Sequence, residues 1–348
     1  MNGIFGMTEL ALDTTDDGDR RDFLLRTRAC AASLMQILND VLDFSKIEAG
    51  HCELERVGFR LDAVLDGVLD TLAVDADRRG LELVGSIAPG SPVHVLGDPG
   101  RLRQILVNLG NNALKFTERG EVEMRLATVV TGDRLRLVGS VRDTGIGISA
   151  EKQGTIFDSF TQAHAGDPRN FGGTGLGLAI VQRLVRAMDG TVTVASAVDQ
   201  GTTFTFTVML EPVAMADDPR PRLDGIRALV VDGNPASARV LEETLASAGG
   251  VPSIVTGDAV AEALRRVDPD IVILSAPADI AEADGLAALV PDAVPVVILA
   301  SIRRIAAANA RTHAAVVLAK PAKQRAVVEA VAKLAPGASQ RSAAAAAG

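Results

Sequence analysis

Apolar positions change their period along the chain, and each change marks a new kind of element. Ile4, Met7, Leu10 and Ala11 recur at helical spacing over residues 1–12. The polar run Asp13 to Asp19 reads as a turn rich in capping residues. A long helix is expected from about Arg20 to Glu48, with a stripe of Leu24, Thr27, Ala31, Leu34, Leu38, Val41 and Ser45. Cys30, Ile37, Phe44 and Ile47 widen that stripe, and Ala49-Gly50 ends the helix. Helix, turn and helix make a hairpin over residues 1–50 that cannot bury its broad apolar face alone. Pairing of two hairpins into a dimeric four-helix bundle is the expected solution, packing onto the following residues the alternative.

Beyond residue 52 the pattern mixes periods. Strands are expected at Cys52–Phe59, Leu81–Ile87, Glu121–Val130, Arg134–Val141, Thr191–Ala197 and Thr202–Leu210. Helices are expected at Leu61–Ala76, after Gly97-Asp98-Pro99, around Glu151–Phe157, and at Ala179–Met188. Residues 158–173 have no regular period. Strands grouped around a few helices predict an α+β sandwich over residues 53–212. Residues 213–224, rich in Pro and Asp, read as a linker. From 225 to 335 short apolar strands alternate strictly with helices, predicting a small doubly wound α/β domain with a parallel sheet. Residues 336–348 form a low-complexity tail expected to be disordered.

Composition narrows the function classes. A length of 348 residues with 47% hydrophobic content supports two or three real cores. A net charge of -9 argues against a broad basic face for nucleic acid. No stretch reaches the ~18 apolar residues of a membrane span, and the N-terminus lacks the pattern of a signal peptide. A cytoplasmic location is expected. Cys30 and Cys52 have no C-x-x-C partner pattern, so they read as buried or incidental thiols in a reducing compartment. His51, His94, His164 and His313 lack metal-ligand spacing.

The chemistry concentrates in two stretches. Leu106 to Phe116 places Asn108, Asn112 and Lys115 at helical spacing, opposite Leu102, Ile105, Leu106, Leu109 and Ala113. Asp143-Thr144-Gly145-Ile146-Gly147-Ile148 follows a strand with a carboxylate and two glycines that allow close approach to backbone. Together they suit ATP. Asp143 would accept from the exocyclic amine of adenine, and Gly145 and Gly147 would let the base lie against backbone. Asn112, supported by Asn108 one turn earlier, offers a neutral oxygen to Mg2+. Lys115 carries a positive charge toward phosphates. Gly172 to Gly177, containing Gly173, Thr174, Gly175 and Leu176, offers N–H groups at a helix start, a sound place for polyphosphate. Arg169 precedes it, and the long loop before it fits a lid anchored by Phe160 and Phe171.

In fixed order these motifs resemble the catalytic ATP-binding domain of sensor histidine kinases, over about residues 53–212. Asn108–Thr117 looks like the N box, Asp143–Ile148 and Gly173–Gly177 the glycine boxes, and Ile156–Phe160 the F box. Gly201-Thr202-Thr203-Phe204 looks like the last glycine motif, which adds Thr202 to the candidate site. The hairpin resembles the dimerisation and phosphotransfer helices, with Leu42 to Gly50 a specific ending. Residues 225–335 resemble a response-regulator receiver, so the whole resembles a hybrid kinase. The resemblance implies ATP and Mg2+ as cofactors, a homodimer formed by the hairpin, and a response regulator or phosphotransfer protein as partner.

Both usual phosphoryl acceptors are missing from these residues, so no catalytic nucleophile is assigned. The family's histidine would lie just upstream of Met1, and none of the four histidines stands on the first helix. In the receiver-like part Asp232 is followed by Gly233, Ser275 stands at the expected acceptor aspartate, and Ser301 and Lys320-Pro321 complete the pattern. A pseudo-receiver is expected, docking on or regulating the kinase core. Two functions stay open: an ATP-dependent protein-histidine kinase core whose histidine lies elsewhere, or a non-catalytic ATP-binding dimeric scaffold that regulates a partner two-component protein.

Overall fold

A computed structural model of the chain describes residues 2–48, 53–159, 175–213, 221–275, 285–305 and 316–335. Helices α1 (Asn2–Asp13) and α2 (Asp17–Glu48) form the hairpin. Leu12, Leu24, Met35 and Leu38 remain exposed on it, and so does Cys30, which is therefore not a buried thiol.

The next strands are β1 (Val57–Arg60), β2 (Glu82–Ile87), β3 (His94–Gly97), β4 (Glu121–Thr131), β5 (Arg134–Asp143), β6 (Val192–Ala197) and β7 (Gly201–Pro212). They build one sheet in the order β1-β3-β7-β5-β4-β2, with β6 also paired to β7. Only β2 and β4 run parallel; the other pairs are antiparallel. The first strand starts at Val57 rather than Cys52, which lies outside the described residues. β3 has no counterpart in the periodicity reading, because its four residues are too few to display a period.

Helices α3 (Leu61–Arg79), α4 (Pro99–Phe116) and α6 (Gly177–Ala187) cover one face of this sheet, while α5 (Ala150–Gln153) is a single turn. α3 stops at Gly80, whose φ of 70° suits a residue without Cβ. α4 is set by Asp98, whose Oδ1 accepts from Arg101 N–H at 2.9 Å, with Pro99 in the first turn. Its Leu102, Ile105, Leu106 and Leu109 are fully buried against the sheet. That fixes the opposite stripe, carrying Asn108, Asn112 and Lys115, at the edge of the core.

The last domain has a parallel sheet of β8 (Arg227–Val231), β9 (Val251–Val255), β10 (Ile271–Ser275), β11 (Val296–Ala300) and β12 (Val316–Ala319), ordered β12-β11-β10-β8-β9. α7 (Pro235–Ser247), α8 (Val260–Val267) and α9 (Gln324–Leu334) flank it, and the Lys320-Pro321 bond is cis. Two separate hydrophobic clusters, on either side of the sheet, confirm a doubly wound arrangement. Leu223 is already fully buried in one of them and donates its N–H to Ala248 O, so the connecting segment gives way to core earlier than its composition implies.

The two sheets' domains are docked through the alternation of β2 and β4. On β4, Val122, Met124 and Leu126 enter the kinase-like core, and Glu121, Glu123 and Arg125 point the other way. Those three meet Asn234 (2.7 Å to Glu121), Arg239 and Glu243 (3.0 Å to Arg125) of the α/β domain. On β2, Leu83 and Ile87 enter the core while Val84 packs with Ala236 and Val240 of α7. Gln324 accepts from Ile87 N–H at 2.8 Å and so closes the exposed edge of β2. Lys323 to Asp70 and Arg303 to Asp77, both 2.8 Å, add ion pairs to α3.

Candidate functional site

The Asp143 loop is held against the end of α4 and the start of β4 by backbone contacts. Ile146 N–H donates to Phe116 O at 3.3 Å, and Thr144 N–H donates to Glu121 O at 3.3 Å. This joins two stretches separated in sequence. Asp143 ends β5, is buried, and its Oδ1 accepts from Gly145 N–H at 2.8 Å. Burial raises its pKa; the hydrogen bonds from the Gly145 and Thr202 backbone and the Arg142 charge oppose the rise. A buried carboxylate of this kind favours a ligand that brings a hydrogen-bond donor.

The loop glycines have a reason beyond access for a ligand. A Cβ on Gly145 would lie 2.3 Å from Phe116 O, and on Gly147, at φ 68°, 1.9 Å from Ala197 O. Backbone therefore crosses backbone here, which only glycine permits. Gly201, at φ 84°, has the same relation to Asp143 O at 2.0 Å.

Ser196 was not legible as a site residue, since it is one position in an alternating strand. Its Oγ accepts from Ile148 N–H at 2.8 Å and lies 2.8 Å from Gly201 O and 3.0 Å from Thr202 Oγ1. Gln153 donates from Nε2 to both Ile148 O and Ser196 O. Thr202 pairs in register with Asp143, so this network braces the carboxylate from behind.

On α4, Asn108 and Asn112 are half-buried. The Nδ2 of Asn108 is buried without a hydrogen-bond partner among the described residues. Lys115 sits 4.7 Å from the centre of the Phe116 ring, and burial lowers its pKa. Gly175 and Leu176 lead into α6, which begins at Gly177. Arg169, Gly173 and Thr174, with Phe160, Phe171 and His164, lie outside the described residues. Phe157 makes an edge contact to Phe204 at 6.2 Å. The amide oxygens suit a hard cation, yet the described residues contain no group of three or more His, Cys, Asp or Glu side chains to hold one unaided. Such a donor set fits Mg2+ that arrives with phosphate oxygens.

In the α/β domain Asp232 follows β8, Ser275 ends β10, Ser301 follows β11 and Lys320 follows β12. Asp232 Oδ1 accepts from Asn234 N–H at 2.8 Å. Lys320 is turned to the neighbouring domain, 2.9 Å from Glu82.

A hairpin, an ATPase-type α+β sandwich and a receiver-like domain define the hybrid sensor histidine kinases, and the chain belongs to that family. Residues 97–212 match the histidine kinase-, DNA gyrase B- and HSP90-like ATPase family, and residues 1–50 the His Kinase A (phospho-acceptor) domain. The chain is 40% identical over 252 residues to the signal transduction histidine-protein kinase BarA of Escherichia coli, a span of 70% of this chain and 28% of BarA. It is 38% identical over 253 residues to the sensor protein GacS of Pseudomonas syringae pv. syringae, covering 72% of this chain and 28% of GacS. The crystal structure of full-length ShkA in complex with AMPPNP is similar with a TM-score of 0.72 and 28% identity, covering 96% of this chain and 69% of that one. The chain thus spans little more than a quarter of these curated relatives.

Proposed function

We propose that the chain is the ATP-dependent core of a cytoplasmic hybrid histidine kinase. It binds ATP with Mg2+ between α4, the Asp143 loop and the glycine stretch into α6. The observation that carries this reading is Asp143: a buried carboxylate braced by Gly145 and backed by Thr202 and Ser196, facing a loop whose glycines cannot be replaced. Asp143 accepts from the adenine amine, with Gly145 and Gly147 beneath the base. Asn112 and Asn108 hold the metal through amide oxygens; the metal, when bound, neutralises phosphate charge. Lys115, Arg169 and the N–H groups of Gly173, Thr174, Gly175, Leu176 and Gly177 orient the phosphates.

Two copies join through the exposed apolar stripe of the hairpin, and the phosphoryl group goes to a histidine that is not among residues of α1 or α2. A response regulator or phosphotransfer protein then receives it. The receiver-like domain does not take part in transfer, because Ser275 stands at the acceptor position and a neutral hydroxyl is a weak nucleophile. Its extensive docking on β2, β4 and α3 supports a regulatory role instead.

The test is incubation of the full chain with γ-labelled ATP, Mg2+ and a separate histidine-bearing hairpin of the family. Label on that hairpin, lost with Asn112→Ala, is the expected result. Nucleotide binding without label on any hairpin replaces the kinase reading with that of a dimeric ATP-binding scaffold.

A further inference from the structure

A cavity of about 410 Å³ lies between the two domains, away from the nucleotide site. One side is formed by the carboxyl ends of parallel strands: Asp232 after β8, Ser275 at the end of β10 and Ser301 after β11. The facing side is Ala73, Ala76 and Leu81 of the kinase-like domain. Strand β9 lies on one side of β8 and β10 on the other, so the cavity opens at the switch point of the sheet, where doubly wound folds bind ligands.

Three oxygens here are unsatisfied. Asp232 Oδ2, Ser275 Oγ and Ser301 Oγ are all buried without a hydrogen-bond partner among the described residues. Asp232 and Ser275 are 5% and 7% exposed, so bulk water does not compensate them. A carboxylate oxygen only accepts, and the hydroxyls can accept as well. The cations on the cavity wall are already engaged: Lys320 with Glu82 and Arg303 with Asp77. Of the charged residues lining the cavity, Asp232 alone has no ionic partner among the described residues, which leaves the wall one negative charge in excess. An anionic phosphate or carboxylate ligand is disfavoured there. Gly233 beside Asp232 leaves a single carboxylate, a poor seat for a divalent ion.

We infer that this cavity binds a small primary amine, whose ammonium donates to Asp232, Ser275 and Ser301 while its carbon chain lies on Ala73, Ala76 and Leu81. The volume suits a monoamine with a short alkyl chain, which brings one charge for the one free carboxylate. Because both domains line the cavity, the bound amine also strengthens their docking. The inference stands independently of the nucleotide site.

The experiment is calorimetric titration of the full chain with n-butylamine, alongside inorganic phosphate and Mg2+ alone. Saturable uptake of one n-butylamine per chain is expected, with a raised Tm, and neither other probe should occupy the cavity. Asp232→Asn should weaken uptake about tenfold or more, since a charged hydrogen bond is lost. The double variant Ser275→Ala with Ser301→Ala gives a second reading that keeps the carboxylate, and about threefold weakening is expected. Absence of saturable n-butylamine uptake, uptake unchanged in both variants, or uptake of phosphate or Mg2+ that Asp232→Asn abolishes would each overturn the assignment.

Discussion

Lys320 Nζ lies 2.9 Å from Glu82 Oε1, so the lysine at the end of the last receiver-like strand is bound to the edge strand of the kinase-like sheet. Both side chains are mostly buried, at 16% and 25% exposure, and the pair joins residues far apart in sequence. A double-mutant cycle with Lys320→Met and Glu82→Gln, read by urea unfolding, should give a coupling of about 1 kcal/mol. The single variants should loosen the docked domain without altering ATP affinity.

Glu123 is held by Arg239 of α7, and its side chain is only 8% exposed. Arg239→Ala leaves this carboxylate with the more distant Arg142, 4.0 Å away. A loss of about 1–2 kcal/mol of stability is expected, tempered by the half-exposed arginine. Arg239→Lys should restore part of it. Equal stability of Arg239→Ala and the parent chain would show that water replaces the arginine.

Asp66 on α3 titrates at about 6 in the folded chain, raised from 3.8 chiefly by burial, with Lys323 opposing the rise and Asp62 and Asp70 adding to it. Between about pH 3.8 and 6 the folded state therefore holds more protons than the unfolded state. Stability from this group is greatest below that window and falls as pH rises through it. Asp66→Asn should stabilise the protein at pH 7 by about 1 kcal/mol, screening by solvent having reduced the full effect, and should change little at acid pH. Chemical unfolding at several pH values measures it.

Asp143→Asn should weaken ATP binding about tenfold or more, because the variant amide presents a neutral acceptor to the adenine amine. Burial raises the pKa of Asp143, so in the parent chain ATP affinity should fall at a higher pH than an ordinary carboxylate would give. Titration with a fluorescent ATP analogue across pH tests both points. Affinity that does not respond to the variant would remove Asp143 from the site.

Gly147→Ala should destabilise the chain by about 2–4 kcal/mol, since its Cβ would lie 1.9 Å from the Ala197 carbonyl and the residue sits at φ 68°. Gly132→Ala, at a similar φ of 64° but with open space around it, should cost only about 1 kcal/mol. Thermal unfolding of the two variants separates backbone crowding from backbone conformation.

Much of the architecture was legible because long periodic segments carry it. The stripe Leu102, Ile105, Leu106 and Leu109 identified α4, and Gly97-Asp98-Pro99 its start, where Asp98 caps the helix. The continuous apolar runs of β8, β10 and β11 were equally plain. β3 was missed because four residues cannot show a period and its pairing partners lie far away in sequence. At the candidate site Asp143 and the glycines stood out by composition. The brace formed by Ser196 and Gln153 did not, because a serine on a strand and a glutamine on a single helical turn acquire meaning only from what they touch. The docked face was hidden for a similar reason: Glu121, Glu123 and Arg125 read as the wet side of a strand until a second domain is laid upon them.

That double-sided use of β2 and β4 limits how the protein can be recombined. Each strand is read by its own core at alternate positions and by the receiver-like domain at those between. A foreign receiver grafted onto this kinase-like domain would meet Glu82, Val84, Glu121, Glu123 and Arg125 with the wrong partners. A successful chimera has to carry these outward positions together with α7 and Lys320, so the smallest exchangeable module crosses the boundary between the domains.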